Sequence, residues 1–191
     1  MITVGDVMNM RAFDSIWLAT PCDGAAAREV TGVGTLDHEP FTGGYEVFTS
    51  GEFVFTTLGF AGVHPDLAEG ALLALIECGV AAVAVKPVVL KELPPTVVQA
   101  SAARGVPVFF YEGRYMERVI ADLMNLLDDD AAEWERNHLI DLILAPSDEH
   151  AVRSTFFTIA GVTGATIQCL AIRPVTDDGA SLRALQKVVE G

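Results

Sequence analysis

Two adjacent threonines and a nearby glycine form the strongest candidate binding group in this sequence. Thr56 and Thr57 close the segment Phe-Val-Phe-Thr-Thr, and Gly59 follows two residues after Thr57. Hydroxyls and free backbone N–H groups at the carboxyl end of a central strand lie where open α/β sheets receive ligands. Such a group could hold the amide edge of a purine-like molecule, or an anion. The alternative is that both threonines, as β-forming residues, only complete the end of a strand.

Two charged residues beside apolar segments complete the predicted ligand-binding set. Glu52 precedes the strand that ends at the threonines, and Lys86 directly follows the apolar run at residues 80–85. In a shared sheet the two side chains could meet as an ion pair or contact a polar ligand. Solvated strand ends are the simpler explanation for both.

The other reactive residue types lack the spacing that catalysis or metal binding requires. The four histidines are scattered, and there is no His-Glu-x-x-His motif and no Cys/His pair. A P-loop, a nucleophile elbow and a dinucleotide-binding glycine fingerprint are also missing from the sequence. Cys78, at the end of a predicted helix, is typical of a packed thiol. We therefore expect no catalytic residue, no metal, no cofactor and no enzymatic activity.

Charge and composition restrict the partners that this chain can bind. Its 191 residues include 12 Lys and Arg against 26 Asp and Glu, for a formal net charge of -14. Because Lys and Arg supply most non-specific affinity for nucleic acids, the chain is not expected to bind DNA unaided or to bind an anionic membrane surface. No apolar run is long enough to cross a membrane. Three widely spaced cysteines and the lack of a secretory signal indicate a reducing, cytoplasmic location.

These candidates need a sheet to position them, and the hydrophobic pattern predicts one. Residues 66–78 have an apolar helical face, Gly79 follows as a helix end, and residues 80–85 form an apolar strand. The same order of helix, glycine and apolar strand recurs over residues 94–111. Repetition of strand and helix favours parallel crossover units. The predicted class is α/β, with a largely parallel or mixed sheet and helices on its faces.

The N-terminal part is less regular. Thr3 and Asp6 have the spacing of a capping box, which predicts a short opening helix. Strands are predicted at residues 15–20 and 29–36, and residues 38–50, rich in Gly, Thr and Pro, as a surface loop.

A long apolar stripe follows the sheet segments and predicts a linking helix. Its members recur at helical spacing and are Met116, Ile120, Leu123, Leu127, Trp134, Leu139 and Leu142. Such a stripe packs either on its own domain or along a dimer seam, and its length favours the seam. The predicted homodimer interface consists of the first five of these residues. The acidic run at 128–130 is predicted as a break or hinge, or as a solvated helix face.

The last stretch resembles the opening of a second α/β domain. A helix is predicted after Pro146, a strand at 166–172 and a helix at 181–189. One strand and a few helices cannot bury a full core, so we expect the chain to be part of a longer protein. The predicted division is a domain at 1–127, a linking helix or hinge at 128–146 and a partial domain at 147–191.

Five short segments, taken in order, carry a family resemblance. They are residues 2–7 (ITVGDV), 51–59 (GEFVFTTLG), 78–86 (CGVAAVAVK), 93–95 (LPP) and 105–110 (GVPVFF). Together they resemble the N-terminal domain of PucR-type transcription regulators, the purine catabolism regulatory family, over about residues 1–127. The chain departs from the family pattern in the longer loop at 38–50 and at Leu58, where the family tends to have glycine directly after the two threonines.

The resemblance implies a cytoplasmic bacterial regulator whose N-terminal domain receives a signal. A GGDEF-like central domain would begin within residues 147–191, and a helix-turn-helix domain would lie outside this chain. The implied partners are a small-molecule effector, purine-like or another metabolite, a second copy of the chain, and DNA only through that C-terminal domain.

Two other function classes fit the same sequence. The short buried strand after Gly51 and Glu52 also resembles the nucleotide-substrate domain of Mur-type ligases, although no P-loop is present. The other class is an interaction module that binds a protein and no small molecule. An accessible polar pocket near Thr56 and Thr57 would favour the sensor, whereas burial of both beneath other side chains would count against it.

Overall fold

The computed structural model describes residues 1–113, 115–144 and 149–160. The chain divides into two compact units, Met1–Asn137 and His138–Gly191. The strands are β1 (Ile2–Thr3), β2 (Phe13–Leu18), β3 (Glu29–Val30), β4 (Gly32–Thr35), β5 (Glu52–Thr56), β6 (Ala82–Val85) and β7 (Val108–Gly113). The α-helices are α1 (Val4–Met8), α2 (Glu39–Thr42), α3 (Asp66–Cys78), α4 (Pro95–Arg104), α5 (Met116–Leu144) and α6 (Glu149–Ala160). Short 3₁₀ helices occupy Ala25–Ala27, Tyr45–Val47 and Gly59–Gly62.

A five-stranded mixed sheet organises the first unit. Its strand order is β2-β7-β6-β5-β4, and β1 pairs with β3 in a separate two-stranded sheet. The four strands from β4 to β7 are parallel, and β2 is an antiparallel edge strand on β7. The predicted α/β class with a largely parallel or mixed sheet is therefore confirmed.

Helices cover both faces of this sheet. On one face α3 and α4 pack against alternate strand residues such as Val83 and Val108. On the other face α1 and α5 pack against Ala84 and its neighbours. Both crossovers, from β5 to β6 and from β6 to β7, place their helix on the first face, as a constant crossover hand requires. The central strands are buried on both faces, which explains their continuous apolar sequence.

Local sequence signals set the ends of several helices as predicted. The capping box at the start of α1 is present, since Thr3 Oγ1 accepts from the Asp6 N–H at 3.3 Å and the Asp6 carboxylate accepts from the Thr3 N–H at 2.8 Å. The helix α3 ends at Cys78 because Gly79 adopts a left-handed conformation, with φ of 75°, that stops the helical ladder.

Three expectations differ from the structure. The strand expected at 29–36 is divided at Thr31, because β3 pairs with β1 whereas β4 pairs with β5. The loop expected at 38–50 contains α2 and a 3₁₀ helix, and Phe48 anchors it in the core. The break expected at 128–130 does not occur, since α5 continues unbroken from Met116 to Leu144.

The second unit is described only in part. Its described residues comprise the end of α5 and the helix α6, which agrees with the helix predicted after Pro146. The strand predicted at 166–172 and the helix predicted at 181–189, and with them most of the partial GGDEF-like domain, lie outside the described residues. Among the helices of the described residues, none combines the length and apolarity that a membrane crossing needs.

Candidate ligand site at the carboxyl edge of the sheet

The Thr56 hydroxyl is engaged within the fold. Thr56 is fully buried, its Oγ1 donates to the Leu36 carbonyl oxygen at 3.1 Å, and the same atom accepts from the Leu58 N–H at 3.0 Å. A hydroxyl that already donates one bond and accepts another, away from solvent, is not available to a ligand. This corrects the predicted binding role of Thr56, which instead joins the end of β5 to the segment after β4.

Leu58 explains how the chain departs from the family pattern at this point. It has φ of 48° and ψ of 36°, the left-handed conformation that glycine adopts most easily, and its side chain is fully buried. The turn that a glycine would favour is therefore kept, with a core side chain added. Thr57 is half-buried and Gly59 is exposed at the same edge. Their ligand-binding role stays a prediction.

Glu52 lies at the opposite edge of the sheet from Lys86. Glu52 begins β5, whereas Lys86 follows the end of β6, and the two strands are parallel with Thr56 paired to Val85. The two residues are therefore separated by about five residues of strand, roughly 16 Å. The Glu52 carboxylate accepts from the Thr49 N–H at 3.3 Å and from Thr49 Oγ1 at 3.2 Å. The ion pair considered for Glu52 and Lys86 is thus absent, and Glu52 closes a local turn.

Lys86 lines a pocket at the carboxyl edge. The pocket has a volume of about 460 Å³, and its described lining residues are Lys86, Gly113, Tyr115 and Arg118. Lys86 Nζ donates to the Gly113 carbonyl oxygen at 3.3 Å, so its ammonium extends from the end of β6 to the end of β7. The Tyr115 carbonyl oxygen accepts from the Arg118 N–H at 3.0 Å, which fixes the position of Arg118 in the first turn of α5.

The topology of the sheet creates this pocket. The segment after β6 leads to α4 on one face of the sheet, whereas the segment after β7 leads to α5 on the other. Neighbouring parallel strands whose following segments separate to opposite faces leave a crevice between them, and open α/β sheets bind ligands in such crevices. Lys86 and Gly113 each follow or end one of these two strands. The pocket therefore lies at the place where this architecture favours ligand binding.

The lining of the pocket is cationic in a strongly acidic chain. Of its described lining residues, Lys86 and Arg118 carry positive charge and none is an acid. The full chain has only 12 Lys and Arg and a net charge of -14. Two cations directed to one concave surface attract carboxylate or phosphate oxygens. Tyr115, which is 80% exposed, adds an aromatic side chain at the rim.

Tyr111 has an unusual environment on the same face of the sheet as Lys86. Its ring is fully buried and makes edge-to-face contacts with Phe13 and Phe55, at centroid distances of 5.7 Å and 5.8 Å. Among the described residues, its hydroxyl is the one buried side-chain polar atom without a hydrogen-bond partner. Burial, with a smaller contribution from the Glu117 charge, raises the pKa of Tyr111 to about 12. The phenol thus stays protonated and can act as a donor.

A second cavity, of about 320 Å³, lies at the amino edge of the sheet. It is lined in part by Arg28, but this guanidinium is already bound to the backbone of the turn after α3. Its Nε donates to the Ala81 carbonyl oxygen at 2.8 Å, and Nη2 donates to the carbonyl oxygens of Val80 at 2.9 Å and Gly79 at 3.4 Å. Arg28 therefore stabilises a turn, and the carboxyl-edge pocket is the better candidate site.

Sequence reasoning found Lys86 but missed the other described lining residues, Gly113, Tyr115 and Arg118. One signal was present. Arg118 is a cation close to the start of a predicted helix, where acidic residues are favoured by the helix dipole. A basic residue at that position, in a chain with few of them, indicates a role other than helix stabilisation.

The predicted dimer residues have two different environments. Leu123 is fully buried in the core beneath α5, and Met116, Ile120 and Leu127 pack against the same core. Leu123 is therefore not available to a dimer seam, because the chain's own sheet covers it, whereas the interface role of the partly buried Met116, Ile120 and Leu127 stays a prediction. Trp134, in contrast, is 67% exposed.

The described residues contain no group of three or more His, Cys, Asp or Glu arranged to hold a metal ion. Cys78 is half-buried, its Sγ lies 3.5 Å from the Tyr45 carbonyl oxygen as a donor, and burial raises the pKa of its thiol. A protonated, hydrogen-bonded thiol of this kind is a packing group.

Comparison with protein-family models and curated proteins adds no relative. Neither the protein-family models nor the curated proteins contain a match to this sequence. The likeness to PucR-type regulators therefore depends on its five short segments in their order.

Proposed function

We propose that the unit Met1–Asn137 is the signal-receiving domain of a PucR-type transcription regulator of the purine or nitrogen catabolism class. It would bind a small-molecule effector, purine-like or another metabolite, and transmit the signal through a homodimer in the cytoplasm. The observation that carries the proposal is the pocket where the segments after β6 and β7 separate. The proposal assigns no catalytic step to this chain.

The position of Arg118 suggests how binding would be transmitted. A ligand held by Lys86 and Arg118 would connect the sheet to the first turn of α5. Such a ligand shifts the position of α5 only if it binds one arrangement of the helix more tightly than another. Since α5 continues to Leu144, a change at its start can reach Trp134, the exposed residue of the predicted dimer interface.

The acidic character of the chain supports the proposal that effector binding and DNA binding belong to different domains. A net charge of -14 repels the phosphates of DNA. The proposal therefore assigns DNA contact to a helix-turn-helix domain outside these residues.

A thermal-shift screen of purine bases, their breakdown products and amino acids tests the sensor proposal. A ligand at about a hundred times its Kd stabilises the folded state by about 2.7 kcal/mol, which should raise the melting temperature by roughly 5–10 °C. Arg118→Gln should abolish the shift, whereas Arg136→Gln, an exposed arginine on the same helix, should retain it.

Two results would contradict the sensor proposal or its assigned site. If no compound in a chemically broad panel stabilises the chain, the sensor is excluded and the protein-binding module becomes the better explanation. If a compound stabilises the wild type and Arg118→Gln to the same degree, the effector site lies elsewhere.

A further inference from the structure

The chemistry of the pocket at β6 and β7 restricts the kind of molecule that it can hold. This inference rests on the proposed function, since it concerns the effector site itself. The pocket of about 460 Å³ has room for a metabolite of modest size. Among its described lining residues, the side chains with fixed charge are Lys86 and Arg118, both cationic.

The fold places both residues at the pocket. Lys86 Nζ donates to the Gly113 carbonyl oxygen, and the backbone N–H of Arg118 donates to the Tyr115 carbonyl oxygen in the first turn of α5. A guanidinium has five N–H donors, and two of them can bind the oxygens of one carboxylate or phosphate group side by side.

Among the described lining residues of the pocket there is no acid. Glu112 and Glu117 are both exposed and neither lines the pocket. Glu112 accepts from Ser15 Oγ of the neighbouring β2 at 3.4 Å. Within the described lining an anion would therefore meet two cations, and the Asp14 carboxylate, which lies close to Gly113, is the acid that it would have to avoid.

Tyr111 is the neighbour of Lys86 in the sheet. The pairing of Val85 with Phe110, continued by one residue, places Tyr111 beside Lys86. Side chains of paired residues lie on the same face of a sheet, so both belong to the face that α5 covers. The Tyr111 hydroxyl is buried and, within the described part of the chain, has no acceptor. Tyr111 is not among the described lining residues of the pocket, so its hydroxyl is not assigned to the ligand.

We propose that the effector is an oxyanion-bearing metabolite whose carboxylate or phosphate group binds between Lys86 and Arg118. Carboxylate and phosphate share the chemistry that the two cations recognise, a compact group of negatively charged oxygens. A neutral purine base lacks it.

Isothermal titration of the full chain with orthophosphate and, separately, with succinate tests this proposal at constant ionic strength. We expect saturable binding of at least one probe. Arg118→Gln and Lys86→Met should each weaken it by about tenfold or more, since each removes a charge-assisted contact. Arg136→Gln and Lys91→Met remove equally charged exposed residues elsewhere and should change the affinity by less than about twofold. Circular dichroism of each variant verifies that it folds.

The outcomes separate this inference from the sensor proposal. Binding of orthophosphate alone identifies a phosphate ligand, binding of succinate alone a carboxylate, and either supports the inference. Binding that the two pocket variants leave unchanged, or no binding of either probe, overturns it. If adenine, as a neutral purine, then stabilises the chain and Arg118→Gln removes that effect, the sensor survives without an anionic ligand.

Discussion

The Thr56 hydroxyl donates a hydrogen bond of 3.1 Å to the carbonyl oxygen of Leu36, and this bond joins the end of β5 to the segment that follows β4. The same hydroxyl accepts from the Leu58 N–H at 3.0 Å, at a residue in the left-handed conformation. One side chain thus holds two backbone segments at the carboxyl edge of the sheet. The threonine that the sequence predicts as a ligand contact instead stabilises the edge of the sheet.

Replacement of Thr56 by valine should destabilise the first unit. The change keeps the shape of the side chain but removes both buried hydrogen bonds, which should lower the free energy of unfolding by about 1–3 kcal/mol. Urea denaturation measures the change. Thr57→Val is the control, because Thr57 is only half-buried, and its effect should be about 0.5 kcal/mol or less. Equal losses for the two variants would contradict the role assigned to Thr56.

Replacement of Tyr111 by phenylalanine should preserve or increase stability. The hydroxyl is buried without a partner among the described residues, so its removal relieves a desolvation cost, with a gain of up to about 1 kcal/mol in the free energy of unfolding. The ring contacts with Phe13 and Phe55 remain. Tyr115→Phe, at an exposed position, should change nothing. A loss of more than about 1 kcal/mol for Tyr111→Phe would mean that the hydroxyl has a partner in solution.

Alkaline titration should identify the same residue. Because burial raises the pKa of Tyr111 from 10.0 to about 12, folding favours its neutral form. The stability that this contributes is fully present below pH 10, the unfolded value, and is lost as the pH rises from 10 to about 12. Phenolate absorbance followed against pH should show a last transition near pH 12 that is missing in Tyr111→Phe. Ionisation of Tyr111 in the folded chain near its ordinary pKa would contradict its burial.

Substitution of Leu123 in α5 should lower the stability of the fold, whereas substitution of Trp134 in the same helix should weaken self-association. Leu123→Ala opens a cavity in the core beneath the helix and should cost about 2–5 kcal/mol in the free energy of unfolding. Trp134→Ala should leave that free energy within about 0.5 kcal/mol in a dilute sample, where monomers prevail, while weakening self-association. Denaturation and sedimentation measure the two effects. If Leu123→Ala loses self-association at unchanged stability, the result would support the predicted position of Leu123 in a dimer seam.

Local sequence patterns predicted the elements whose causes are themselves local. Three such predictions are confirmed: the capping box at Thr3, the helix end at Gly79 and the apolar strand that follows it. Neighbouring residues in the chain decide each of them. The sequence predicted the candidate site less completely, since Lys86 is the one predicted residue among the described lining. Periodicity placed Met116, Ile120 and Leu123 on one helical face, but it could not say whether that face meets its own sheet or a second chain.

By itself the sequence determined that this chain forms an α/β sheet of buried parallel strands, since continuous apolar runs alternate with amphipathic helices. It also determined that Lys and Arg are scarce, 12 against 26 Asp and Glu, so that two of them lining one pocket distinguish that surface from the rest of the chain. Only the tertiary structure decided that Thr56 turns inward to Leu36 and that Lys86 meets Arg118 in one pocket. The physical reason is that strand order and the face on which each helix packs are properties of the assembled core, so residues 32 positions apart come together only through packing.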